Sequence, residues 1–220
     1  MKKALDNQVK LFDNIYVILD KIFLYLLSNN AEKRNECMRV ITGKARGRKL
    51  YTLSGNDVRP TTDVVKEAVF SIIQFGIEGR VFLDAYAGSG QMGIEALSRG
   101  AKKAVFLDNS RQSCEIVKKN LELTQLSENA IVKNTDTLSY LSGTPERFDI
   151  VFIDPPYRTG ILTQTLERIT GVMNKGGVII CEHPFDEKVP EELQDFVLKK
   201  EYKYGKIMIT VYSHKEVGGI

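Results

Sequence analysis

The spacing of apolar and polar positions changes character twice along the chain. Between residues 8 and 28, Leu11, Ile15, Ile18, Ile22 and Leu26 recur at helical intervals and predict an amphipathic helix. Asp13, Asp20 and Lys21 interrupt the run, which is too short and too charged to span a bilayer. Residues Asn29 to Glu36 are polar and read as a linker. From Met38 to Leu53 apolar and polar residues alternate on both sides of Gly43 and Gly47, which predicts a hairpin with a basic turn. After Arg59-Pro60-Thr61-Thr62-Asp63, Thr61 or Thr62 can cap a helix. That helix turns Val64, Val65, Ala68, Val69, Ile72 and Ile73 inward and points Lys66 and Glu67 at solvent.

From residue 79 strands and helices alternate. Strands are predicted at Arg80–Ala85, Lys103–Leu107, Ala130–Asn134, Phe148–Ile153 and Gly177–Cys181, the last after a Lys-Gly-Gly turn. Helices are predicted at Gln91–Ser98, Ser110–Leu123, Thr137–Leu141 and Leu162–Met173. Phe196–Lys200 and Ile207–Ser213 close the chain as an antiparallel pair. The alternation implies an α/β, doubly wound sheet, mostly parallel, with helices on both faces. Three segments result: an extension over 1–37, a basic hairpin and helix over 38–78, and a ligand-binding α/β domain over 79–220. The extension reads as an add-on whose removal leaves the rest folded.

Composition narrows the class. The 220 residues are 43% hydrophobic and 27% charged, which is ordinary for a globular chain. Cys37, Cys114 and Cys181 have neither zinc nor redox spacing and read as reduced thiols of a cytoplasmic protein. The two histidines stand apart in sequence and offer no multi-histidine metal site. Met1-Lys2-Lys3 resembles a signal n-region, but no small-residue cleavage site follows. The net charge of +3 is unevenly placed: residues 38–59 carry Arg39, Lys44, Arg46, Arg48, Lys49 and Arg59 against Asp57 alone. Four of those six are arginines, which suit phosphate, so this stretch is expected to meet a polyanion.

Two motifs carry the candidate chemistry. Asp154-Pro155-Pro156-Tyr157 ends the apolar strand Phe148–Ile153. The prolines cannot donate to a sheet and hold the chain extended, at the strand edge where open α/β sheets bind ligands. Asp154 and the Pro155 carbonyl can accept from an amine while Tyr157 stacks on a flat group. The second motif is Gly88, Gly90 and Gly93 after the first strand, with Asp108 at the next strand end, a literal dinucleotide fingerprint. Asp84, four residues before Gly88, argues against that ligand because a carboxylate repels a pyrophosphate. It favours a cationic group such as the sulfonium of S-adenosylmethionine, with Asp108 on the ribose hydroxyls and Asp136 accepting from the adenine amine. For Asp136 a helix N-cap is an equally ordinary use.

The order of MRVITGKARGRKL at 38–50, RPTTD at 59–63, DAYAGSGQMGIEALSRGA at 84–101 and DPPY at 154–157 resembles the RsmD-type family, class I S-adenosylmethionine-dependent methyltransferases of Rossmann-like fold. The family methylates guanine N2 in small-subunit (16S) ribosomal RNA. The resemblance runs from Met38 to about Ser213, and residues 1–37 match none of it. It implies that Asp84, Tyr86, Gly88, Gly90, Asp108 and Asp136 hold S-adenosylmethionine, and that Asp154, Pro155, Pro156 and Tyr157 hold the target base. It also implies that Lys44, Arg46, Arg48 and Lys49 grip RNA, naked or within a partly assembled 30S particle, with Arg59 and Thr61 near the mouth. No metal and no membrane enter this expectation. Tyr86 stands in a loop where similar proteins often carry leucine and phenylalanine. Adenine N6 methylation, an NAD-dependent oxidoreductase, a protein glutamine methyltransferase and a non-catalytic RNA-binding factor are the alternatives. His183 is expected to bond locally, His214 to be exposed, and Tyr202 and Tyr204 to pack on the sheet.

Overall fold

A computed structural model describes residues 38–53 and 63–216. The helix expected over 8–28, Arg59, and the capping residues Thr61 and Thr62 lie outside the described residues. The chain divides into two compact units, 1–37 and 38–220.

Helix α1 (Asp63–Ile72) precedes a sheet that alternates with helices. In order come β1 (Val81–Asp84), α2 (Gln91–Ser98), β2 (Lys103–Asp108), α3 (Arg111–Thr124) and β3 (Ala130–Asn134). They are followed by α4 (Thr137–Gly143), β4 (Phe148–Ile153), α5 (Ile161–Ile169) and β5 (Met173–Pro184). The chain closes with β6 (Glu192–Leu193), β7 (Phe196–Tyr204) and β8 (Ile207–His214). The strand order is β3-β2-β1-β4-β5-β8-β7-β6. Strands β1 to β5 pair in parallel, and β8, β7 and β6 continue the sheet antiparallel.

Side chains alternate across each central strand, so the two faces of the sheet build two cores. Phe82, Phe106, Ile150, Phe152 and Ile180 share one core with Val69 and Phe70 of α1, Ile94 of α2 and Val117 of α3. Leu83, Val105, Leu107, Val151 and Ile153 share the other with Leu141 of α4 and Leu166 of α5. Helix α2 lies against the sheet because its third residue is glycine: a Cβ on Gly93 would sit 2.2 Å from the Phe106 ring.

Residues 38–50 form a tight antiparallel turn rather than a long ribbon. Arg39 and Lys49 make one isolated bridge, and Val40 N donates to the Arg48 carbonyl at 2.9 Å. Met38, Val40, Ala45 and Leu50 enter the first core, which leaves Lys44, Arg46, Arg48 and Lys49 outside. The turn is fastened to α2. Glu95, fully buried, accepts from Ile41 N at 2.7 Å and Thr42 N at 2.9 Å. Ser98 Oγ accepts from Ala45 N at 3.0 Å, and the Ser98 carbonyl accepts from Lys44 N at 2.8 Å. Gly43 permits that approach: its φ is +84°, and a Cβ would lie 1.9 Å from the Ser98 carbonyl oxygen.

Several elements differ from their sequence-based outlines. Lys66 is not on a solvent face but wholly buried, because α1 is covered by the hairpin as well as by the sheet. Its Nζ donates to the Arg39 carbonyl at 2.6 Å and pairs with Asp63 at 3.4 Å. Helix α5 stops at Ile169, and a 3-10 turn at Thr170–Val172 leads into β5. The Lys175-Gly176-Gly177 segment lies inside β5, where the pairing with β4 shifts register, rather than in a turn before it. β5 also runs on to Pro184, so Glu182 and His183 belong to the strand. His214 is buried, not exposed, and packs edge-on to Phe196 with ring centroids 5.5 Å apart. The closing pair is longer than expected because Tyr202 and Tyr204 pack against the first core.

Candidate active site

The carboxyl ends of the parallel strands gather four aspartates: Asp84 ends β1, Asp108 ends β2, Asp136 precedes α4 and Asp154 follows β4. The sheet order turns at β1, which pairs with β2 on one side and β4 on the other. Helix α2, after β1, contributes to one core, and α5, after β4, to the other. Chains leaving neighbouring strands for opposite faces open a crevice, the usual ligand site of such sheets.

The β1–α2 loop is held by its acids. Asp108 accepts from Gly88 N at 2.9 Å through Oδ2 and from Ser110 N at 2.7 Å through Oδ1. Each oxygen keeps a second lone pair, which is what a ribose diol needs. Asp84 lies buried beneath the loop and accepts from Gly93 N at 3.0 Å. Burial pushes its carboxyl up to about 7, the Gly93 N–H opposes that, and the Asp108 charge adds to it. A side chain at Gly88 would meet nothing within 4 Å, so the loop faces open space. Tyr86 turns toward α5, its hydroxyl 2.6 Å from Thr165 Oγ1, and packs against the second core. Asp136 caps α4: its Oδ1 takes both the backbone N–H and the hydroxyl of Ser139, each at 2.8 Å. These bonds hold its carboxyl below the usual range. One oxygen is thereby committed to the helix, which is the N-cap use, and only Oδ2 would remain for the expected adenine amine.

The Asp154–Tyr157 segment is rigid. Pro155 is buried, and its carbonyl accepts no hydrogen bond among the described residues. The Pro156 carbonyl accepts from Thr159 Oγ1 at 2.8 Å, which closes the turn. Arg158 next to it has φ +60°, a strained backbone for a non-glycine residue, and its guanidinium bonds Asp186 at 2.9 Å. Tyr157 donates its hydroxyl to Glu182 Oε1 at 2.8 Å and keeps 41% of its surface exposed. Asp154 is half-buried. Desolvation, then the charges of Glu182 and Asp84, push its carboxyl well above the usual carboxylate range, against the nearby Tyr157 hydroxyl.

The motif's order in sequence pointed to the aspartates, but two further groups were poorly visible there. Glu182 carries the tether of Tyr157 yet lies 25 residues away. Asn120, fully buried on α3, holds the Ser89 carbonyl of the glycine loop at 2.9 Å. Its signal was a polar residue beside Val117 and Leu121 on an apolar helix face. His183, in contrast, bonds the Pro184 carbonyl and Thr210 Oγ1 and takes no part. A cavity of about 330 Å³ beside Lys175, Phe196 and His214 lies at the opposite, amino-terminal edge of β5 and has no role in this arrangement.

A family model described as Conserved hypothetical protein 95 matches residues 38–213. The chain belongs to this family, the RsmD family. A relative from Haemophilus influenzae named Ribosomal RNA small subunit methyltransferase D is 41% identical over 184 residues, 80% of this chain and 94% of the relative. Its namesake from Escherichia coli K12 is 35% identical over 185 residues, 82% of this chain and 92% of the relative. Among solved structures, yhhF from Escherichia coli, a candidate methyltransferase, gives a TM-score of 0.73 at 34% identity, covering 80% of this chain and 97% of that one.

The chain is accordingly an S-adenosylmethionine-dependent methyltransferase of Rossmann-like fold. The residues present suit that cofactor as members of the RsmD family should. Asp84, Asp108 and Asp154 form no ion pair with a cation among the described residues, so the charge each carries when ionised is uncompensated and favours a sulfonium over a pyrophosphate. When bound, the cofactor supplies a methyl group already activated by positive sulfur. Among the described residues no cluster of His, Cys, Asp or Glu is arranged to hold a metal, and no helix is long and apolar enough to cross a membrane.

Proposed function

We propose that the protein methylates the exocyclic N2 amine of a guanine in small-subunit (16S) ribosomal RNA, naked or within a partly assembled 30S particle. The observation that carries this reading is Asp154 directly before the Pro155 carbonyl, which accepts no hydrogen bond among the described residues, beside an exposed tyrosine whose hydroxyl donates to Glu182. An exocyclic amine is a poor nucleophile because its lone pair is delocalised into the ring. Accepting its two N–H bonds at Asp154 and Pro155 returns density to nitrogen, and stacking on Tyr157 fixes the direction of attack. The base has to leave its stack to reach this place, a cost of roughly a few kcal/mol that contacts elsewhere on the RNA offset.

The Asp154 carboxyl feels the charge of the buried Glu182 and follows a strand that ends in no cationic side chain, so this place offers mainly acceptors to a base. Guanine suits that better than adenine, since its edge presents donors at both N1 and N2 whereas adenine presents an acceptor next to its amine. The exposed Lys44, Arg46, Arg48 and Lys49 supply the phosphate contacts, and none forms an ion pair among the described residues. The names of the relatives, small-subunit ribosomal RNA methyltransferases, support the same substrate class.

The test is incubation with methyl-labelled cofactor and small-subunit particles lacking the modification, followed by digestion and mass spectrometry of the nucleosides. N2-methylguanosine is expected. N6-methyladenosine would replace the guanine reading, and label on DNA or protein acceptors would replace the RNA reading.

A further inference from the structure

A second aromatic ring stands near the glycine loop, outside every motif assigned above. Tyr51 directly follows the basic residues Arg48 and Lys49 and the buried Leu50, and 58% of its surface is exposed. Its ring makes no hydrogen bond or ring contact among the described residues, whereas its backbone is bonded on both sides. Tyr51 N donates to Asn120 Oδ1 at 2.7 Å, and Asn120 Nδ2 donates to the Tyr51 carbonyl at 3.0 Å. The same Nδ2 donates to the Ser89 carbonyl at 2.9 Å. A second link runs in parallel, from Ser89 Oγ to Met38 Sδ at 3.1 Å. One wholly buried amide therefore fixes the main chain of an exposed tyrosine relative to the cofactor loop.

We propose that Tyr51 is a stacking platform for an unpaired base of the RNA strand lying along Arg46, Arg48 and Lys49, and that Asn120 is the positioning residue that sets this ring against the cofactor loop. The inference rests on the RNA-methylating reading and adds a specificity contact to it. A cationic track followed by an exposed ring is how proteins hold single-stranded nucleic acid, with charge following the backbone and aromatic faces taking the bases. The Asn120 clamp explains why the ring can act at a defined distance from the methyl donor: both Tyr51 backbone groups bond to one side chain on α3, as a strand neighbour would bond them. Tyr157 then stacks the reacting base and Tyr51 stacks another base of the same strand, so that two rings, one of them tied through Asn120 to the glycine loop, register the RNA.

The experiment compares wild type, Tyr51→Ala and Tyr51→Phe on under-modified small-subunit particles and on RNA extracted from them. Direct RNA binding, initial rates, S-adenosylmethionine affinity and melting temperature are measured for each. Tyr51→Ala is expected to weaken RNA binding and raise KM for RNA by roughly five- to a hundredfold, the range for losing one base–aromatic stack. Cofactor affinity and melting temperature stay at wild-type values, and Tyr51→Phe stays within about twofold because the ring face is retained. Wild-type RNA affinity in Tyr51→Ala, or an equal loss in Tyr51→Phe, overturns the proposal. Asn120→Asp keeps the acceptor and removes both donated bonds, so it should raise KM for RNA in the same direction with Tyr51 intact; an unchanged KM removes Asn120 from the role. Mass spectrometry of the wild-type product judges the guanine reading separately, since ring-dependent RNA affinity stands or falls whichever base carries the methyl group.

Discussion

Tyr157 donates to Glu182 across 25 residues of sequence, at 2.8 Å, and in doing so places its hydroxyl beside Asp154. The bond holds the hydroxyl end of a ring that keeps 41% of its surface exposed, and in the proposed role that exposed ring is the stacking face. Tyr157→Phe keeps the face and loses the tether, so kcat should fall by roughly two- to tenfold, the worth of one hydrogen bond. Tyr157→Ala loses both and should fall at least tenfold further. Single-turnover rates at saturating cofactor check this; equal rates in the two variants would show the ring to be irrelevant.

In the proposed role Asp154 accepts from the amine most strongly when ionised, and its carboxyl sits well above the usual range because of burial and the Glu182 and Asp84 charges. A raised carboxyl is protonated at low pH and ionised above its own pKa, so kcat/KM should rise with pH through that point. Glu182→Gln removes the largest neighbouring charge while leaving an acceptor for Tyr157, and the acid limb of the profile should move to lower pH. Asp154→Ala should abolish turnover with cofactor binding retained. Loss of both together in a binding titration would assign Asp154 a structural role instead.

If Asp84 holds the cofactor's cationic part, cofactor binding should itself depend on pH. Its carboxyl is pushed up to about 7, with Asp108 on β2 contributing to the rise, and its ionised form is the one that attracts a cation. Affinity for S-adenosylmethionine should therefore improve as pH rises toward 7, by up to about tenfold per pH unit, and level off above it. Asp84→Asn keeps an acceptor for Gly93 N and should bind weakly with a flat profile. Calorimetry between pH 5.5 and 8.5 would detect a proton released on binding in the wild type; a flat wild-type profile contradicts the assignment.

Arg46 and Arg48 are exposed on the hairpin. Replacing both with alanine should weaken RNA binding and flatten the plot of log affinity against log salt by roughly 1.4 to 1.8, two phosphate contacts' worth. Cofactor affinity should not change. An unaltered slope would take the hairpin out of the RNA path.

The sheet was legible because buried parallel strands such as Phe148–Ile153, interrupted only by Asp149, are nearly continuous apolar runs bounded by turn residues or a helix pattern. The acids at strand ends were legible because a charge directly after such a run stands out, although Asp84, Asp108 and Asp136 also hold backbone N–H groups of the glycine motif, of Ser110 and of the α4 cap. What escaped notice was polar side chains turned into the protein. Lys66 looked like a solvent-facing helix residue because nothing local shows that the hairpin covers that face of α1. Glu95 and Asn120 looked like ordinary helix positions because their partners, Ile41, Thr42 and Tyr51, lie 53 to 69 residues away. Helical period reports which face is apolar; it does not report which backbone groups arrive there needing acceptors.

Glu95 offers a stability test of that hidden contact. Its carboxylate takes two backbone N–H groups of the hairpin and the Arg99 Nε at 2.8 Å, with no surface of its own exposed. Glutamine at this position has one acceptor oxygen, so an N–H of Ile41 or Thr42 would face an NH₂ group, and Arg99 would lose its charge partner. Removing one member of a buried pair costs about 3–5 kcal/mol, and the lower end applies because Arg99 keeps some solvent and lies 4.7 Å over the Phe70 ring. Urea unfolding of Glu95→Gln should show that loss, and the Ile41 and Thr42 amides should exchange faster than those of β4. RNA affinity should fall more than cofactor affinity, since the hairpin carries the arginines while Asp84 and Asp108 stay in place. Unchanged unfolding with both amides still protected would mean that the apolar contacts of Met38, Val40 and Leu50 hold the hairpin without Glu95.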